Sequence, residues 1–151
     1  MHFPSLLATA LLAVGFGPPR PPSFYATYRY TGYTVHDNTD SPTAVRGVGG
    51  TLLLRADGSY EKRLSILAAG GLHYFNQTGR FTLAGDSIRF AFTDLKGADV
   101  QRGTFRYAPA TRRLTLTIFG YPTGNKGVYE LVADPAKPEP KAPKRKQKQR
   151  L

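Results

Sequence analysis

Lys62 is the residue of this chain best suited to binding chemistry, because strand alternation places it on the same face as large apolar and aromatic neighbours. Burying an unpaired ammonium is expensive, so such a lysine must be paired, neutral or close to water. Facing a cavity, it would suit a carboxylate or phosphate group, with tyrosine hydroxyls as partners. Two alternatives stay open: a bulge that turns Lys62 outward, or a side chain that snorkels to solvent.

The other candidate ligand-binding residues are large aromatic side chains that the same alternation turns inward. Rings of this size can also fill the interior of a small barrel and leave no room for a ligand. The residue pattern therefore allows two interpretations, a binding cavity and a filled interior. The aromatic candidates are Tyr28, Tyr30, Tyr60, Phe92, Tyr107 and Tyr129.

No combination of residues indicates catalysis. The chain has no cysteine, which excludes disulfides, thiol catalysis and thiolate metal sites. Its serines, histidines and carboxylates follow no nucleophile signature. The run from His36 to Asp40 lacks the ligand spacing of a calcium loop, and the histidines are far apart. We therefore predict a protein that is not an enzyme and has no cofactor and no metal site.

Three predicted hairpins position the candidate residues, because directly opposed residues of an antiparallel pair face the same side. Gly85-Asp86 is a two-residue turn with glycine first. At Ala56-Asp57-Gly58 only a three-residue loop keeps the two faces consistent. The predicted pairs are Leu54 with Tyr60, Leu52 with Lys62, Leu83 with Ile88, Phe81 with Phe90, Tyr107 with Leu114 and Phe105 with Leu116.

The alternating segments predict an all-β fold, an antiparallel up-and-down meander that closes into a roughly eight-stranded barrel. Four connections at one end are expected to be longer loops, namely 35–46, 68–72, 93–99 and 119–126. The predicted strands cover residues 23–34, 47–55, 59–67, 73–84, 87–93, 100–107, 113–119 and 127–133.

Five glycines are predicted to share the inner face at the barrel mouth, the end with the longer loops. Gly79, Gly103 and Gly127 follow one another at intervals of 24 residues, the length of a hairpin with its connection. A glycine at an inward position allows a strand to coil sharply, as closed sheets require, or keeps a mouth open. The set is Gly32, Gly50, Gly79, Gly103 and Gly127.

The hairpin segments resemble the small lipocalin-like β-barrels of bacterial secreted proteins. The resemblance covers residues 23–133 and lies in Gly50-Thr-Leu, Arg55-Ala-Asp-Gly-Ser-Tyr60, the segment from Gly79 to Ile88 and the hairpin from Gly103 to Leu116. The chain lacks the Gly-x-Trp of true lipocalins, since it contains no tryptophan. The resemblance implies a small apolar or amphipathic molecule held in the barrel.

The two ends of the chain differ from the barrel segment in composition. Residues 1–17 are predicted to be a signal peptide with a short apolar run, Leu6 to Val14, which is too short to span a bilayer. Residues 18–22 form a Pro-rich linker, 23–133 the barrel domain and 134–151 a disordered basic tail. The tail holds seven cations and two acids. We predict a secreted or periplasmic protein.

The formal net charge of +11 suggests an anionic partner, and the barrel segment is basic as well as the tail. The outward arginines are a solvated face or a surface for envelope lipid or polysaccharide. Nucleic acid is disfavoured, because most rings point inward and cannot stack on bases. The function predicted from sequence is a lipocalin-like binding module; the alternative is a filled structural barrel that associates with anionic envelope surfaces.

Overall fold

The computed structural model describes residues 20–38, 41–120 and 122–135, and it shows an antiparallel β-barrel. A short 3₁₀ helix precedes nine strands in this part of the chain. The helix is Pro22–Phe24, and the strands are β1 Thr27–His36, β2 Thr43–Ala44, β3 Gly49–Leu54, β4 Ser59–Ala68, β5 Gly71–Ala84, β6 Ser87–Asp94, β7 Gly97–Ala108, β8 Arg113–Phe119 and β9 Lys126–Ala133.

Eight of these strands close the barrel. Neighbours along the sheet are β1, β3, β4, β5, β6, β7, β8 and β9, and β9 pairs back with β1. Every pairing is antiparallel, as the predicted meander requires. The two-residue β2 is an addition that pairs only with Thr34 and Val35 of β1. The predicted all-β barrel is therefore confirmed, and its shape is compatible with the lipocalin-like resemblance.

The registers of the three predicted hairpins are also confirmed. Strand β3 pairs with β4 through Leu52 opposite Lys62, and Gly58 in their loop has a φ of +85°. Strand β5 pairs with β6 through Phe81 opposite Phe90. Strand β7 pairs with β8 through Phe105 opposite Leu116. Alternation predicts these pairs correctly because the loop fixes the register and no bulge interrupts the pairing.

Several predicted element boundaries are wrong. The strand predicted from residue 23 starts only at Thr27, because Pro22–Phe24 forms the 3₁₀ helix. Two connections predicted as longer loops, 68–72 and 93–99, are tight turns between paired strands, with Ala68 opposite Gly71 and Asp94 opposite Gly97. In both turns a glycine with positive φ lets the chain reverse within a few residues.

The segment before β1 closes one end of the barrel. Phe24 is completely buried, and its ring lies 5.5 Å from the ring of Phe105. The hydroxyl of Tyr28 donates a 2.6 Å hydrogen bond to the carbonyl oxygen of Phe24. The guanidinium of Arg20 lies 4.6 Å from the centre of the Phe105 ring and donates to the carbonyl of Gly85. The barrel is thus plugged at the end that carries the β3–β4, β5–β6 and β7–β8 turns.

Gly79 and Gly103 occupy points where two strands approach closely. A Cβ on Gly79 would overlap the backbone of Ala91, and a Cβ on Gly103 would overlap the backbone of Thr117. Neither glycine has a positive φ, so the requirement is for space. Gly50 shows the same overlap with Arg63, and a Cβ on Gly127 would meet the ring of Tyr33.

Gly32 does not lie on the predicted face. The register of β1 against β9 shifts by one residue between Tyr30 and Gly32. Gly32 therefore lies opposite Glu130, which is on the outer face, and Tyr33 lies opposite Tyr129. The prediction failed because counting by alternation assumes an unbroken ladder, and a bulge reverses the faces beyond it.

The core of the described chain is the barrel interior, packed with apolar and aromatic side chains. Its buried members come from the plug and from all eight barrel strands, so all parts of the wall share one core. The largest fully buried side chains are Tyr28, Tyr60, Phe24, Leu52, Leu54, Ile88, Leu114 and Leu131.

Candidate functional site

A small cavity lies inside the barrel on the side away from the plug. Its volume is about 30 Å³. A water molecule needs roughly 10–15 Å³ of such space, so the cavity suits one or two waters and not a whole drug-sized molecule. The wall combines apolar residues with an unusual share of polar ones. It consists of Tyr30, Leu52, Tyr60, Lys62, Gln77, Phe90, Gln101, Leu116, Ile118 and Tyr129.

The polar part of this wall is built by the pairing of β4 with β5 and of β6 with β7. Lys62 lies directly opposite Gln77, and Gln101 lies opposite Phe90. The hydroxyl of Tyr60 donates a 2.7 Å hydrogen bond to Oε1 of Gln77. This bond fixes the side-chain carbonyl of Gln77 and leaves its NH₂ as a donor. The wall thus presents donors from an ammonium and two amides.

Lys62 carries the only full charge on the cavity wall. Burial lowers its pKa below the ordinary value of 10.5, because desolvation disfavours the ammonium. Within residues 20–38, 41–120 and 122–135, no side chain forms an ion pair or hydrogen bond with it. A partly desolvated ammonium without a counter-charge is stabilised by an anionic group that brings one.

Three tyrosine hydroxyls complete the polar surface of the cavity. Burial raises the pKa values of Tyr30, Tyr60 and Tyr129, so all three stay neutral and can donate hydrogen bonds at physiological pH. For Tyr129 a hydrogen bond with Tyr33 adds to the effect of burial. The ring centres of Tyr30 and Tyr129 are 5.8 Å apart in an edge-to-face contact. These contacts hold the rings in place around the cavity.

An open groove continues from the cavity to the barrel mouth. Its volume is about 730 Å³, and it shares Lys62, Gln77 and Gln101 with the cavity wall. It exists because β5 pairs with β6 only from Gly79 onward, which leaves residues 71–78 without a β6 partner. The remaining lining residues are Tyr74, Phe75, Asn76, Thr78, Phe92, Thr93, Asp94 and Leu95. The groove therefore has an ammonium and two amides where it joins the cavity. The rest of its wall is mixed, with four large apolar or aromatic side chains beside four polar ones that include the carboxylate of Asp94.

The structure brings most of the predicted ligand-binding residues together. Lys62, Tyr30, Tyr60 and Tyr129 line the cavity, and Phe92 lines the groove.

Two predicted ligand-binding residues lie elsewhere. Tyr28 and Tyr107 are at the plugged end, where Tyr28 bonds to Phe24 and the hydroxyl of Tyr107 donates to Oγ of Ser23 at 2.9 Å. Alternation identifies the inner face of a strand and does not distinguish its two ends.

Sequence reasoning missed Gln77, Gln101 and Tyr33. The two glutamines could have been found by continuing the alternation, since Gln77 lies two residues from Gly79 and Gln101 two residues from Gly103. A polar residue at an inward position points to a binding site in the same way as Lys62 does. No local signal identifies Tyr33, because its inward position results from the bulge in β1.

The outer wall carries two arginines side by side that form no ion pair within the described residues. Arg89 and Arg102 lie directly opposite each other on β6 and β7, an arrangement that costs energy when no anion lies between them. The ion pairs on the described surface involve other arginines, Arg29 with Asp134 and Arg55 with Glu61. This face matches the basic outer surface expected from the sequence.

Comparison with known proteins adds no identity. No protein-family model matches the chain, and no curated protein matches its sequence. In the described ranges, no helix has the length and apolar character needed to cross a bilayer. In the same ranges, no three histidine or carboxylate side chains come together in a way that would hold a metal ion.

Proposed function

We propose that this barrel binds a small amphipathic molecule with an anionic head group at its mouth, as a secreted or periplasmic binding module. The observation that most directly supports this proposal is the position of Lys62. Its ammonium has no partner among the described residues and lies on a wall shared by the cavity and the groove. The head group would contact Lys62 and the amides of Gln77 and Gln101. The apolar part would lie along Phe75, Phe92 and Leu95.

The volumes favour binding at the mouth over binding deep in the lumen. The cavity of about 30 Å³ has room for one or two waters, whereas the open groove of about 730 Å³ is within the size of sites for small molecules, roughly 300–1,000 Å³. Rings that fill the deep lumen make a rigid floor for the groove. The proposal therefore differs from the simple picture of a ligand enclosed by a barrel.

A fluorescent fatty-acid analogue titrated into the purified protein tests this function. A charge-assisted hydrogen bond contributes about 1.5–3 kcal/mol, so Lys62→Met should weaken binding roughly tenfold or more. Arg63→Met is the matched control, because it removes a neighbouring cation from the outer face and should change the affinity less than about twofold. An uncharged analogue with the same chain should bind more weakly to the native protein.

The second candidate function is a filled structural barrel that associates with anionic surfaces. The opposed Arg89 and Arg102 on the outer wall favour it. If the analogue does not bind, or binds equally to the native protein and Lys62→Met, the mouth site is excluded and this second candidate remains. Weaker adsorption of Arg89→Gln to anionic polysaccharide would then support it.

A further inference from the structure

The barrel mouth carries an apolar surface that the ligand site does not explain. Of the six large apolar side chains that are exposed in the described ranges, five lie on the neighbouring β4–β5 and β6–β7 hairpins. Leu95 is fully exposed at the tip of the β6–β7 hairpin. The other four are Leu67, Leu72, Tyr74 and Phe75, all half-exposed or more on the β4–β5 hairpin. The sixth, Phe119, lies at the end of β8.

The β4–β5 hairpin ends in a two-stranded ribbon. Strand β3 pairs with β4 only as far as Ser65, and β6 pairs with β5 only from Gly79. Residues 66–68 and 71–73 therefore pair with each other and with no other described strand. At about 3.3 Å per residue, this ribbon is roughly 10 Å long.

The charge pattern of the ribbon points to its environment. From Leu64 to Gly79 the sequence contains no Asp, Glu, Lys or Arg, and Arg63 precedes this run on β4. Lys96 follows Leu95 at the second tip, with Asp94 two residues before it. The loop residue Gly47, next to Arg46, packs against Leu67. Apolar tips with cations at their bases are typical of segments that insert into the headgroup region of an anionic bilayer.

The geometry points to a docking surface for an anionic lipid bilayer, formed by the tips of the β4–β5 and β6–β7 hairpins. Interfacial segments bury their apolar face about 5–10 Å into the headgroup boundary, which matches the length of the ribbon. Along residues 71–78, the edge of β5 that faces away from β4 pairs with no other described strand. Its backbone groups need water as a hydrogen-bond partner, so the ribbon would stay in the hydrated headgroup region and not enter the hydrocarbon core. Two tips on separate hairpins fit a flat surface better than the single strand edge that a second copy of the chain would use.

This docking surface goes beyond the proposed ligand site and does not depend on it. The groove lies between the two hairpins, with Tyr74 and Phe75 on one side and Leu95 on the other. Docking would therefore place the opening of the groove against the lipid. An amphipathic molecule could then pass between bilayer and groove without crossing water.

An introduced tryptophan tests the orientation, because the chain has none of its own. In the full chain, Leu95→Trp places the reporter at the mouth, and Ala110→Trp places it in the exposed β7–β8 turn at the plugged end. With phosphatidylglycerol vesicles, Leu95→Trp should show a blue-shifted emission and quenching by brominated acyl chains. The emission of Ala110→Trp should not change. With phosphatidylcholine vesicles, Leu95→Trp should shift much less.

A second comparison measures the contribution of the ribbon. In the Leu95→Trp protein, Leu72→Asp should lower the vesicle partition coefficient roughly tenfold or more, since it puts a charge into the inserted segment. Thr82→Asp adds the same charge on an exposed outer position of the same strand near the plugged end, and should change partitioning less than about threefold.

Three results would overturn the docking surface: no emission shift at Leu95→Trp, equal shifts at both reporters, or equal partitioning of Leu72→Asp and Thr82→Asp. Equal shifts would mean that another part of the chain adsorbs. A dimer in sedimentation that Leu72→Asp converts to monomer, without any vesicle binding, would assign the surface to a second copy. The analogue titration without vesicles is independent of these results, so failure of docking and failure of the ligand site are distinguishable.

Discussion

The ring of Tyr33 stacks on the ring of Tyr129, with centres 4.3 Å apart and planes at 3°. The bulge at Thr31 creates this contact, because it places Tyr33 opposite Tyr129 and moves Gly32 to the outer face. Tyr129 also lines the cavity with Lys62. One extra residue in β1 therefore adds a second ring behind the wall of the candidate site.

The buried tyrosines predict a loss of stability at high pH. Burial raises the pKa values of Tyr30, Tyr60 and Tyr129 above the ordinary 10.0, so the unfolded chain ionises first as the pH rises. Their contribution is complete below pH 10 and decreases above it. We expect these tyrosines to titrate above the ordinary pKa of 10.0 in tyrosinate absorbance, and Tyr129→Phe to reduce the part of the absorbance change that occurs there. Titration of every tyrosine near pH 10 in the folded protein would contradict this.

Lys62 predicts the opposite pH dependence. Its pKa is lowered by burial, so between that lowered value and the ordinary 10.5 the folded state releases a proton that the unfolded state keeps. Stability due to Lys62 therefore rises with pH across this window. In denaturant unfolding, Lys62→Met should be more stable than the native protein at neutral pH, and the difference should shrink towards pH 10.5. Arg63→Met should give no such convergence, and a constant difference for Lys62→Met would show that the ammonium is fully solvated.

Gly79 is predicted to tolerate no side chain. A Cβ at this position overlaps the backbone of Ala91, so Gly79→Val should lower the free energy of unfolding by about 1–3 kcal/mol through overpacking. Gly32→Ala is the control, because a Cβ there makes only ordinary contact with Glu130 and its φ is compatible with alanine. Equal unfolding midpoints for the two variants would mean that Gly79 and the backbone of Ala91 are not in close contact.

The plug at the closed end is predicted to contribute strongly to stability. Phe24 is fully buried against Phe105 and Tyr107, so Phe24→Ala should cost about 3–5 kcal/mol of unfolding free energy. Tyr107→Phe removes only the exposed hydrogen bond to Ser23 and should cost about 1 kcal/mol or less. Chemical denaturation measures both. A small loss for Phe24→Ala would show that the barrel closes without its N-terminal segment.

The plug is an example of what the sequence could not indicate. Residues 18–22 have the composition of a linker, yet Arg20 lies over the ring of Phe105 on a distant strand. Pro21 and Pro22 restrict the backbone but do not indicate which surface the segment will contact. Likewise, the predicted signal peptide and nearly all of the predicted tail lie outside the described residues, and they stay predictions.

The sequence alone determined the hairpins, because turn chemistry and period-two alternation are local properties that fix which residues oppose each other. That was enough to place Leu52 opposite Lys62 and Phe81 opposite Phe90. Only the tertiary structure decided which inward residues share a cavity. Alternation places both Tyr30 and Tyr107 on the inner face of their strands. Closure of the barrel puts Tyr30 beside Lys62 and Tyr107 beside the plug. Three features that shape the cavity arise from contacts between distant segments: the stagger of the strands, the bulge in β1 and the early end of β5–β6 pairing. No local sequence pattern indicates these contacts.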